Sequence, residues 1–164
     1  MLLNRHSWVG PRQQFLHLNY QQYEMFELIS DLVTLMSKDS LRVDEVVAAV
    51  GTVVSNPPTP VPIEIKPYSL HIRSAWLARD PESGLPYVLS LKLARQTKIT
   101  AGELKALLGD FSPVATDRGR QPQIIFHLKR KTISTTIAVV ADLDKGSGSI
   151  EDTRISEIRF RRDH

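Results

Sequence analysis

Five histidines, at positions 6, 17, 71, 127 and 164, are the first residues to test for chemistry, and no two of them stand at i, i+2 or i, i+4. A zinc pair normally needs one of those spacings. His71 and His127 fall in strand-patterned segments, so they can meet on one face of a sheet, and Asp117 or Asp142 beside them would complete an acid/base site. Together with Trp76 and Tyr87 they also define a candidate pocket of His71, Trp76, Tyr87 and His127. The plainer reading is that the histidines are packed or surface residues and that the two aromatics touch across a hairpin. No Gly-x-Ser-x-Gly elbow, phosphate-binding glycine loop or dinucleotide fingerprint occurs. No catalytic residue is therefore assigned, and enzyme activity is the weaker expectation.

Asp142-Leu143-Asp144-Lys145-Gly146 opens like a calcium loop, but the twelfth position is Thr153 where a bidentate glutamate belongs, and Lys145 puts a positive charge among the ligands. A polar turn at a strand end explains it better. No metal and no cofactor is expected.

The strongest charge feature lies between 118 and 131, where Arg118, Arg120, Lys129, Arg130 and Lys131 meet no carboxylate. If Lys129-Arg130-Lys131 forms a bend between strands, this basic cluster could hold phosphate oxygens, with Arg159, Arg161 and Arg162 extending it. Only Phe126 supplies an aromatic there, and it alternates with the apolar set, so a solvated hairpin tip or lysine protection of a sheet edge competes with nucleic-acid binding.

These residues need elements to position them. Apolar residues at Tyr23, Phe26, Ile29, Val33 and Met36, widened by Met25, Leu28, Leu32 and Leu35, predict a helix over 20–37 with Asn19 as its cap. Asp44 can cap a second helix carrying Val46, Val47, Val50, Val53 and Val54, although its β-branched content leaves a strand open. Pro57, Pro58, Pro60 and Pro62 then fix four backbone angles and remove four amide donors, which predicts a stiff extended connector over 56–67.

From Ser69 the period changes to two, and with Asp80-Pro81-Glu82-Ser83-Gly84 as a reversal, residues 69–94 read as one long β-hairpin. Thr100-Ala101-Gly102-Glu103 is a capping box that opens a short helix through Leu104, Leu107 and Leu108, closed by Gly109. Strands follow at 123–128, 133–142 and 153–161. Only 95–122 is long enough for a parallel crossover. The fold class is thus α+β, a mainly antiparallel sheet of about five strands with two N-terminal helices and one short helix packed on one face. One domain spans 1–164: a helical layer over 1–55, the proline-rich connector, and a β-rich body over 68–164.

With 41% hydrophobic and 24% charged residues, the 164-residue chain has the composition of a folded globular domain. No run approaches the roughly 20 apolar residues of a bilayer span, the first residues lack the apolar core of a signal peptide, and cysteine is absent. A cytoplasmic protein without membrane contact is expected. Residues 1–68 hold five Lys/Arg against seven Asp/Glu, and residues 69–164 hold sixteen against eleven, so an acidic half faces a basic one.

Without a reactive constellation, the leading expectation is a non-enzymatic protein-binding module, an adaptor, inhibitor or regulatory subunit, with another protein as its partner. The hairpin 69–94 or the outer face of helix 20–37 would be its contact surface. The alternatives are a nucleic-acid-associated protein using the basic cluster, and a small-ligand carrier or enzyme with a cavity between sheet and helices.

Overall fold

The computed structural model describes residues 20–115, 117, 119–128, 135–146 and 148–163. Three helices and eight strands follow in the order α1 (Tyr20–Met36), α2 (Val43–Val50), β1 (Gly51–Ser55), β2 (Ile63–Pro67), β3 (Ile72–Arg79), β4 (Pro86–Leu93), α3 (Ala101–Leu108), β5 (Ser112–Val114), β6 (Gln123–Leu128), β7 (Thr136–Leu143) and β8 (Ile155–Asp163). All eight strands join one sheet in the order β1-β2-β3-β4-β8-β7-β6-β5, and every neighbouring pair is antiparallel. The chain lays down one four-stranded meander, crosses through α3 to the far edge, and returns in a second meander whose last strand closes onto β4.

The sheet has eight strands where the sequence reading expects about five, and the three others arise in segments assigned differently. Gly51–Ser55 lies in the stretch read as helix: Val43–Val50 forms α2, and the β-branched Thr52, Val53 and Val54 continue directly as β1. Ile63–Pro67 lies in the stretch read as connector, but past Pro62 the residues Ile63 and Ile65 alternate with Glu64 and Lys66 and bury their side chains. β5 is three residues long, with Pro113 at its centre, too short for periodicity to reveal. The cap of α2 also differs, because the Arg42 amide donates to Glu45 Oε2 at 2.9 Å, which places Asp44 inside the first turn.

Register explains the core. Ile65, Ala75, Leu91, Ile158, Ala141 and Ile124 form one continuous cross-strand row from β2 to β6, and Ile63, Leu77, Leu89, Phe160, Val139 and Phe126 form the next. All twelve are at most 2% exposed. Because side chains alternate across a strand, the intervening rows point the other way. These read Glu64, Trp76, Ser90, Arg159, Val140, Ile125 and, nearer the other end, Ser74, Lys92, Glu157, Asp142, Gln123. The apolar rows share one hydrophobic cluster with Met25, Phe26, Ile29, Leu32 and Met36 of α1, Val46 and Val50 of α2, and Ala101 and Leu104 of α3. α1 packs against β8, and α2 against β1 and β2.

The capping box of α3 forms as its spacing predicts: Thr100 Oγ1 accepts from the Glu103 amide at 3.2 Å, and Glu103 Oε2 accepts from the Thr100 amide at 3.0 Å. No helix among the described residues is long and apolar enough to cross a membrane.

Candidate binding surface

The residues singled out in the sequence are only partly described. Of the basic cluster, Arg118, Lys129, Arg130 and Lys131 lie outside the described residues, and the exposed Arg120 stands 3.9 Å from Asp117 Oδ2. The arginines expected to extend it are engaged elsewhere. Arg161 Nε donates to Asp163 Oδ1 at 2.7 Å, Arg159 grips Asp142, and Arg162 is buried beneath the end of α1.

Of the four pocket candidates, His127 lies on a strand remote from those that carry the other three. His71 sits at the start of β3 with Nε2 3.3 Å from Glu24 Oε2 and Nδ1 3.5 Å from Thr97 Oγ1. That trio has the composition of a hydroxyl, imidazole and carboxylate relay, and the threonine hydroxyl has a second acceptor in the His71 carbonyl at 3.2 Å. Trp76 lies on the polar sheet face with Lys92 Nζ 5.3 Å from its ring centre. His127 is exposed on β6, four strand steps from β3, a separation of roughly 19 Å at the usual spacing. Tyr87 stands beside the irregularity between Ala78 and Arg79 and is 37% exposed.

Asp142 and Asp144 are both tied to arginines. Arg159 Nη2 and Nη1 lie 2.6 and 3.0 Å from the two Asp142 oxygens, Gln123 Nε2 adds a third donor at 2.8 Å, and Arg154 Nη1 lies 3.0 Å from Asp144 Oδ2. Burial works against the Arg159 charge, but Asp142 and Glu157 more than offset it and hold its pKa above the ordinary value.

The surface that the sequence reading missed is the β1 edge. β1 is the outermost strand on its side of the sheet, and Val53 and Val54 are 48% and 57% exposed. Val61 and Tyr68 add two more exposed apolar side chains. Between β1 and α2 runs an open groove of about 570 Å³, walled by Val43, Val47 and Ala48 of α2, Val53, Ile63 and Tyr68, with Asp44 and Asn56 as polar members. Arg79 positions the adjoining loop by donating through Nη2 to the carbonyls of Pro57 and Val61. Gly51 sets the approach of β1 to β2, since a Cβ there would stand 1.8 Å from the Lys66 carbonyl oxygen. One sequence signal was available: residues 46–63 contain no charged side chain.

The opposite edge is different in kind. β5 offers three residues, and Pro113 removes the central amide donor. A second depression of about 390 Å³, lined by Arg73, Ala94, Arg95 and Gln96, lies where the irregularity between Ile72 and Ser74 interrupts β3. Comparison of the chain with protein-family models, with curated proteins and with solved structures returns no match.

Proposed function

We propose that this chain is a non-enzymatic protein-binding module, an adaptor, inhibitor or regulatory subunit, and that it takes an extended segment of its partner onto the β1 edge. The observation that carries the reading is the asymmetry of the two edges. Sheets usually blunt an exposed edge with charge, proline or shortness. β5 has the last two, whereas β1 presents five residues without charge or proline, beside an apolar groove. An added strand would gain main-chain hydrogen bonds from β1 and place alternate side chains in the groove. Residues of all three helices share the hydrophobic cluster of the apolar rows, and among the described residues no strand pairs with the outer side of β1. The hairpin 69–94 is a less suitable contact surface, because β3 and β4 are third and fourth in the sheet and bury Ala75, Leu77, Leu89 and Leu91 completely.

The test is affinity capture with three baits: the native chain, Val53→Lys and, as a control on the other edge, Ser112→Lys. A partner retained by the native chain and Ser112→Lys but lost by Val53→Lys supports strand addition at β1. Equal retention by all three removes it.

A further inference from the structure

The edge asymmetry also restricts who the partner is. We infer that the β1 edge is occupied by the β1 edge of a second copy of this chain, an inference that rests on reading β1 as the binding surface. Among the described residues nothing pairs with the outer side of β1. A contact between unlike edges, β1 of one copy on β5 of the next, would leave a free edge at each end and propagate into a filament. The length of β5 and Pro113 oppose that contact. A like-to-like contact about a twofold axis uses, in each copy, the end strand that is neither short nor interrupted by proline among the described residues, and stops at two. Two edges related by such an axis run antiparallel, as every pair in this sheet does, so the contact makes one continuous sheet of sixteen strands, eight from each copy.

Charge agrees with this occupant. An isologous contact brings each residue near its own copy, so a charged edge would repel itself. Residues 46–63 carry no charge, so the strip does not repel its own copy. Area adds a requirement. A pair of five-residue strands falls short of the roughly 1,000 Å² that a specific interface needs, so neighbouring side chains must contribute. Val54 within the strand and Tyr68 along the groove beside it are exposed and placed to do so. The irregularity between Val53 and Ser55 leaves Gly51–Val53 as the regular part of the edge, which puts the axis close to Thr52.

The experiment is the solution mass of the full chain by sedimentation, with Val53→Lys and Ser112→Lys alongside and far-ultraviolet circular dichroism to show that each folds. The expected result is a mass rising with concentration from 18.5 kDa toward twice that value, abolished by Val53→Lys and kept by Ser112→Lys. Because the chain lacks cysteine, single cysteines placed in turn at Thr52, Val53 and Val54 give a second readout. At least one should cross-link to its own copy under mild oxidation, and a cysteine at Ser112 should not. A monomer at every concentration, or a dimer indifferent to Val53→Lys, overturns the inference. In the first case, a partner lost on capture by Val53→Lys would leave strand addition standing with a different occupant, and no lost partner would remove both.

Discussion

Asp142 and Arg159 face each other diagonally across β7 and β8 as a two-pronged ion pair, on the sheet face that the apolar rows do not use. The directly opposed residues are Asp142 and Glu157, two like charges, and Arg159 reconciles them by reaching Glu157 Oε1 at 3.3 Å as well. Asp142 keeps 10% of its side chain exposed and Arg159 25%, so removing either partner leaves a poorly hydrated charge. Asp142→Asn and Arg159→Gln should each cost about 2–4 kcal/mol, and the double variant less than their sum. Urea unfolding of the four proteins closes the cycle, and additive losses would show that the pair is not coupled.

Arg162 should be the most sensitive of the terminal arginines. It lies in the row of Ile137 and Leu128, is 4% exposed, and donates through Nη1 to the carbonyls of Met36 at 2.6 Å and Lys38 at 2.7 Å, which satisfies the open end of α1. Its burial holds its pKa below the usual arginine value despite the pull of Asp39. Arg162→Ala should cost about 3 kcal/mol or more, since it strands buried carbonyls. Arg162→Lys should recover only part of that, because an ammonium lacks the planar fork. Thermal unfolding distinguishes them.

Gly51 and Gly109 should both lose stability on substitution by alanine, but by different amounts and for different reasons. At Gly51 the added carbon meets the Lys66 carbonyl at 1.8 Å, a backbone atom that cannot rotate away, so β1 must part from β2 or the chain must lose about 3 kcal/mol or more. At Gly109 φ is +93° and nothing lies within 4 Å, so the cost is backbone strain alone, about 1 kcal/mol. Amide hydrogen exchange along Gly51–Ser55 should accelerate in the first variant and stay unchanged in the second.

Glu45 gives the fold an acid-side dependence. The hydrogen bond from Lys38 at 2.6 Å, followed by that from the Arg42 amide, lowers its pKa below the ordinary glutamate value. A depressed folded-state pKa contributes stability above the unfolded value and loses it as pH falls through the folded one. Glu45→Gln should therefore lower the melting temperature at neutral pH, with the gap to the native chain closing in acid. A gap that persists below the carboxylate range would assign the effect to capping geometry instead of charge.

Local pattern made much of this architecture readable. The stripe from Met25 to Met36 is α1, the capping box at Thr100 and Glu103 opens α3, and Gln123–Leu128 is β6, because each depends on neighbours only a few residues away. β1 and β2 were misassigned for the converse reason. Val53 and Val54 suit a helix stripe or a strand, and Ile63-Glu64-Ile65-Lys66 is too short an alternation to stand out beside four prolines; pairing with residues 72–79 decides β2, and pairing with β2 in turn decides β1. The candidate surface was legible only as a charge-free interval, since whether such a strip is core or surface depends on its rank in the sheet.

By itself the sequence determined which side chains alternate in the longer strands, where α3 begins and which stripe of α1 is apolar, all consequences of backbone period and local hydrogen bonding. Only tertiary structure decided that β8 returns to β4, that Arg162 turns inward to close α1 while Arg159 and Arg161 stay on the polar side, and that β1 is left at an open edge. Those outcomes rest on contacts between residues up to 126 positions apart, and no local pattern carries information about which distant strand will offer its edge.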